Sequence, residues 1–135
     1  MRTPQPRRLR ATLDLPPLAR SIPAARQIIA HVLAAWEAER FREDATLLLS
    51  ELVTNVVRHV VGHKALTIEM QLVGPTLRVI VADDSTSTPV LGGRSVAGGH
   101  GLWLVDTVAS RWGSEEHTAG KRVWFELDGR PPRPA

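Results

Sequence analysis

A single long amphipathic helix constrains this chain more than any other segment. From about Arg42 to His59 or Val61, the residues Ala45, Leu48, Leu49, Leu52, Val53, Val56 and Val60 recur at helical spacing and form a broad apolar stripe. Gly62 near its C-terminus supplies a stop. A stripe of that width has to be buried against a second layer. Glu51, Asn55 and His59 stack at i, i+4 and i+8 along the edge of the stripe. A polar line bordering a buried face is where a helix forms the wall of a cleft.

The segments around this helix supply the other layer. Leu9, Ala11, Leu13 and Leu15 alternate with polar residues, the period of a half-buried strand, and Pro16-Pro17 ends it. A helix is predicted from near Ser21, with Ser21 as N-cap and Pro23 in the first turn. Its apolar face is Ile28, Ile29, Val32, Leu33 and Trp36. Residues 65–73 and 77–82 read as an antiparallel hairpin around Gly74-Pro75. A Ser-, Thr-, Pro- and Gly-rich loop fills 83–98, a third helix is expected from Gly101 to about Ser110, and two strands near 112–117 and 121–127 flank a turn at Gly120. The order β-α-α-β-β-α-β-β predicts an α+β fold: a two-layer sandwich with a mixed, mostly antiparallel sheet covered by about three helices.

The chain has 135 residues, enough for one domain with a real core. Residues 10–129 are read as that domain, with residues 1–9 and 130–135 as disordered tails. No apolar run reaches the length a membrane span requires, and no apolar core follows the basic N-terminus as in a signal peptide, so a cytoplasmic location without membrane contact is expected. The absence of cysteine excludes disulfides and thiolate metal sites. Six of the seventeen positive charges lie at Arg2, Arg7, Arg8, Arg10, Arg130 and Arg133. Residues 11–129 carry eleven positive and fourteen negative groups, a net of −3. A nucleic-acid-binding domain needs its basic stripe on a folded face, so direct nucleic-acid binding is not expected. His59 and His63 are too few ligands, and have Gly62 between them, for a zinc site. The four tryptophans read as core and edge-of-core packing, and Lys121-Arg122 as an exposed strand-end pair.

Three separated segments carry the chemistry. An asparagine on a helix can bind Mg²⁺ through its amide oxygen, because hard cations take oxygen ligands and leave room for phosphate and water. That role suits Asn55, and Glu51 one turn earlier is placed to orient or deprotonate a nucleophile near a terminal phosphate. Asp83 ends the apolar run Val79-Ile-Val-Ala82, where a carboxylate can accept a hydrogen bond from an adenine amino group. Gly99-His100-Gly101 at a helix start leaves backbone N–H groups unshielded and turned towards an anion.

Together these residues resemble the ATP-binding superfamily shared by gyrase, heat-shock chaperones, histidine kinases and mismatch-repair ATPases, the GHKL or Bergerat fold. Glu51-x-x-x-Asn55 is similar to its N-box, Asp83-x-Ser85 to its first glycine box and Gly99-x-Gly101-Leu102 to its second. Within that superfamily the phrases Ser50-Glu-Leu-Val-Thr-Asn-Val-Val-Arg-His59, Gly98-Gly-His-Gly-Leu-Trp-Leu-Val-Asp106, Arg111-Trp-Gly113 and Gly120-Lys-Arg-Val-Trp124 resemble bacterial anti-sigma-factor serine/threonine kinases. The resemblance covers roughly residues 10–127 with its landmarks in order.

It implies a kinase that moves the γ-phosphate of Mg-ATP to a serine or threonine of an anti-sigma-factor antagonist, and that also sequesters a sigma factor. By position, Glu51 would be the general base and Asn55 the Mg²⁺ ligand. Asp83 would hold adenine, and Gly99 and Gly101 would contact phosphates through their amides. His59, Ser85, His100 and Leu102 complete the implied nucleotide site. The chain departs from the wider pattern at Ser85, where glycine is usual, and at Thr86-Ser-Thr-Pro89, which replaces a second glycine. The implied lid, 86–98, is short and has Arg94 as its only cation. The phospho-accepting histidine of a self-contained histidine kinase is not recognised. A non-catalytic nucleotide- or sigma-binding module of the same fold is the alternative, and a homodimer stays open.

Overall fold

The computed structural model describes residues 8–59, 65–83, 99–117 and 120–129, and all statements below concern those residues. In chain order they form β1 (Arg8–Leu15), α1 (Ser21–Ala35), a single 3₁₀ turn (Glu39–Phe41), α2 (Arg42–His59), β2 (Leu66–Val73), β3 (Thr76–Asp83), α3 (Gly99–Val108), β4 (Arg111–His117) and β5 (Gly120–Asp128). The strands make one sheet in the order β1-β2-β3-β5-β4. Every pairing is antiparallel, so the sheet is not mixed. β1 begins at Arg8, inside the segment expected to be a tail, because Arg8 and Leu9 pair with Val73 and Leu72.

The helices cover one face of the sheet. Leu66, Ile68, Met70 and Leu72 of β2, Leu77, Val79 and Val81 of β3, and Phe125 and Leu127 of β5 are buried at alternate positions, as a sheet with one covered face requires. They meet Ala25, Ile29 and Leu33 of α1, the stripe of α2, and Leu102 and Val105 of α3 in one continuous core. At roughly 1.5–3 kcal/mol for each large aliphatic side chain taken out of water, this cluster is the dominant favourable term in folding.

Three local details differ from the sequence expectation. Ser21 does not cap α1: Arg20 flanks the helix without a side-chain cap, and Ser21, itself buried, donates its hydroxyl to the Pro16 carbonyl at 2.6 Å. That bond ties the helix start to the end of β1. α3 starts at Gly99 rather than Gly101. Trp103 is 63% exposed, so it is not a core residue, whereas Trp36 and Trp112 pack against the core.

The other face of the sheet carries a polar layer. Arg10 pairs with Glu69 at 2.7 Å, Arg111 with Glu126 at 2.7 Å, and Arg111 Nη1 with Asp128 at 3.0 Å. Trp124 lies on this face rather than in the core. The Arg78 guanidinium sits 4.6 Å above its ring, and Gly113 on the neighbouring strand is so close that a Cβ there would lie 2.9 Å from the indole. Ile80, between Glu69 and Trp124 in register, is only 3% exposed despite facing away from the helices.

Three of the described residues have positive φ: Gly120 (φ 148°) at the start of β5, and two in the left-handed helical region. Gly74 (φ 58°) opens the two-residue hairpin between Val73 and Thr76, where glycine adopts positive φ without cost. Glu37 (φ 56°) ends α1 in a Schellman arrangement: its N–H bonds the Ala34 carbonyl at 3.1 Å and that of Ala38 bonds Leu33 at 2.8 Å. A Cβ in this conformation costs about 1 kcal/mol. Glu37→Gly is therefore expected to raise stability by about 0.5–1 kcal/mol in urea denaturation; a loss of stability would show that the Glu37 side chain outweighs the strain.

The polar face also sets acid sensitivity. Burial alone would raise the Glu69 carboxyl, but the bonds from Arg10 and Gln71 outweigh it and hold the group below its ordinary value of 4.5. Asp128 is likewise lowered, chiefly by Arg111 and then by Thr76. A depressed carboxylate stabilises the fold above its unfolded-state pKa, and that stability is lost as pH falls through the folded value. The melting temperature should therefore drop as pH is lowered below 4.5, and Glu69→Gln should flatten that slope while lowering stability at neutral pH. An unchanged slope in the variant would assign the acid sensitivity elsewhere.

Candidate functional site

α2 brings the first pair of candidate residues into place. Phe41, 4% exposed, anchors the chain just ahead of it, and Glu43 and Asp44 in its first turn complement the positive end of the helix dipole. Ala45, Leu48, Leu49, Leu52, Val53 and Val56 are all buried, which fixes the rotation of the helix about its axis. Glu51 and Asn55 are then left half-buried on its flank, about 6 Å apart along the axis at four residues of helical rise. His59 is the last residue of α2, and its side chain lies outside the described residues.

Asp83 is the last residue of β3 and only 9% exposed. Counting back by twos gives Val81, Val79 and Leu77, all buried under the helices, so Asp83 is on the helix side of the sheet. α2 packs across β3 and also against α3. Glu51, Asn55 and Asp83 therefore belong to the same side of the sheet, in the layer built on α2. In register Asp83 stands between Leu66 of β2 and Lys121 of β5.

α3 contributes a helix N-terminus. Gly99, His100 and Gly101 form its first turn, where backbone N–H groups have no partner within the helix and the dipole favours an anion. Leu102 and Val105, 4% and 0% exposed, hold this end against the core. The Leu102 side chain is thus a packing group, which leaves only its backbone to face a ligand. Ser85 and the lid at 86–98 lie outside the described residues.

Lys121 is a residue that the sequence reading undervalued. Lys121, Val123, Phe125 and Leu127 share one side of β5, and Lys121 is half-buried directly opposite Asp83. The alternation of β5 carried that signal, but without the register an end-of-strand lysine looks like any solvated cation. Among the described residues no group of three or more His, Cys, Asp or Glu could cage a metal ion. A groove of about 710 Å³ on the outer side of α1 and α2, lined by Arg26, His31, Glu39, Arg42 and Thr46, includes none of the candidate residues.

Residues 15–127 match the family model of the histidine kinase-like ATPase domain. Among solved structures the chain is similar to the histidine kinase domain from Erythrobacter litoralis EL346 blue-light activated histidine kinase, with a TM-score of 0.55 and 18% identity over 79% of this chain and 60% of that one. At that identity the likeness shows the fold alone, and the chain spans 60% of the length of that kinase domain. The search of curated proteins finds no match. No helix among the described residues is long and apolar enough to cross a membrane. With its motifs in order, its helices on one face of an antiparallel sheet, and the family model matched from 15 to 127, the chain belongs to the histidine kinase-like ATPase domain family of the GHKL type.

Proposed function

We propose that the protein is a Mg-ATP-dependent serine/threonine kinase of the anti-sigma type. It phosphorylates an antagonist protein, sequesters a sigma factor, and works in the cytoplasm. The observation that carries the nucleotide reading is the placement of Asp83: a carboxylate 9% exposed at a strand end, on the side of the sheet covered by the helix that bears Glu51 and Asn55. A carboxylate at that place can accept a hydrogen bond from an adenine amino group.

In this reading Asp83 holds the base, and His59 and Ser85 belong to the nucleotide site by their place in the motifs. The backbone N–H groups of Gly99, His100, Gly101 and Leu102 bind the phosphates at the start of α3. Asn55 would hold a magnesium ion through its amide oxygen, a hard donor of the kind Mg²⁺ takes, and the ion would supply charge neutralisation at the phosphates. Glu51 accepts the proton of the acceptor hydroxyl while that oxygen bonds the γ-phosphorus and the bond to the ADP oxygen breaks. Most of the rate enhancement then comes from alignment and charge neutralisation.

The kinase assignment within the family rests on the Ser50–His59 and Gly98–Asp106 phrases and on Glu51 one turn before Asn55. Mg-ATP should raise the melting temperature, since a ligand bound only to the folded state adds about 2.7 kcal/mol at a hundredfold excess over Kd. The shift should vanish in Asp83→Asn and shrink in Asn55→Ala. With labelled ATP and antagonist proteins, label should appear on a serine or threonine, and Glu51→Ala should cut transfer by about 10²-fold or more while keeping the thermal shift. A full shift with no transfer to any acceptor would make the protein a nucleotide-binding module instead.

A further inference from the structure

Along the β3–β5 pair, the side of the sheet under the helices is apolar until its last step. Leu77 stands opposite Leu127, Val79 opposite Phe125 and Val81 opposite Val123, and then Asp83 opposite Lys121. Asp83 is 9% exposed and Lys121 is half-buried, so both belong to the covered side rather than to the open surface. Taking a charged group out of water is costly, and a lysine lowers that cost by laying its apolar stem along the core and offering its ammonium to acceptors at the rim. Among the described residues Lys121 takes part in no ion pair. Its other neighbour in register is Glu116 of β4.

We propose, on the nucleotide reading of Asp83, that Lys121 is a base-recognition residue whose ammonium donates a hydrogen bond to the ring nitrogen N1 of adenine. The six-membered ring of adenine presents its amino group, a donor, next to N1, an acceptor. An ionised carboxylate only accepts and an ammonium only donates, so each can serve one of these two atoms and not the other. Opposite residues of antiparallel strands have Cβ atoms about 4.5–5.5 Å apart, which lets Asp83 and Lys121 address neighbouring atoms of one ring edge. The flexible lysine stem outreaches the aspartate side chain, so the ammonium can pass the carboxylate to meet the ring. A phosphate is the poorer partner. In the same reading the phosphates lie at the first turn of α3, whereas Lys121 shares its register with the residue that holds the base.

The test compares Mg-ATP with Mg-1-deaza-ATP, in which a C–H replaces N1 while the amino group is kept. In isothermal titration calorimetry the wild-type protein should bind ATP at least about tenfold more tightly, because the analogue leaves the ammonium without its acceptor. Lys121→Met removes the ammonium and keeps an unbranched stem. It should weaken ATP binding and take the two nucleotides equally. The ratio of the two affinities isolates the contact, as in a double-mutant cycle. A lysine that only balances Asp83 or Glu116, or that reaches a phosphate, would lower both affinities in Lys121→Met and leave their ratio as in the wild type; that result would overturn the proposal. So would a wild-type protein that binds ATP and its analogue equally, a comparison that decides alone should Lys121→Met not fold. Binding of neither nucleotide would end the nucleotide reading of Asp83 itself, and the role of Lys121 with it.

Discussion

The burial of the α2 stripe against the sheet and α3 is the constraint on which the rest of the molecule depends. Leu48, Leu49 and Val53 are completely excluded from solvent, and Leu52 and Val56 nearly so. With Ala45, these apolar residues seated in one core leave the helix a single rotation, because turning it by one position would expose several of them. Once that rotation is set, Glu51 and Asn55 have only the flank to occupy. The same contact holds α3, whose first-turn N–H groups have no partner within the helix, and covers the side of β3 from which Asp83 projects. The placement of the candidate residues thus depends on a hydrophobic contact made by residues outside the candidate site.

The sheet balances this contact with a different chemistry on its other face. A face without helices cannot bury a full apolar row, and this one is built from ion pairs and long side chains lying flat. Arg78 covers the Trp124 ring with its guanidinium while approaching Glu126 at 3.5 Å, and Arg111 bridges Glu126 and Asp128. Such exposed pairs contribute little energy each. Their role is to shield apolar surface: Ile80 is buried on this face between Glu69 and Trp124. Trp124 can lie flat because Gly113, on the neighbouring strand, has no side chain in its path.

The elements were legible in the sequence because each is written in local periodicity. The alternation from Leu9 to Leu15, the stripe of α2 and the Gly74-Pro75 hairpin match the structure within a residue or two. The misreadings came from contacts that local pattern does not encode. Ser21 is an ordinary capping residue by type, yet the Pro16 carbonyl is the partner that reaches it. Trp103 follows a buried leucine in an apolar segment, but one step along a helix is a rotation of about 100°, which turns it outward. Trp124 alternates correctly and lies on the open face, which a strand pattern cannot distinguish from the covered one. Lys121 looked solvated until the register set it opposite Asp83.

By itself the sequence determined the succession of helices and strands and which side-chain types stand at the candidate positions, since propensity, periodicity and side-chain chemistry act over a few residues. The tertiary structure decided which face of the sheet is covered, which side Asp83 projects from, and which strand is left at the edge. Those outcomes depend on strand order and register between segments dozens of residues apart. No local pattern carries that information, because it is settled only when the apolar faces of the helices and the sheet are buried together.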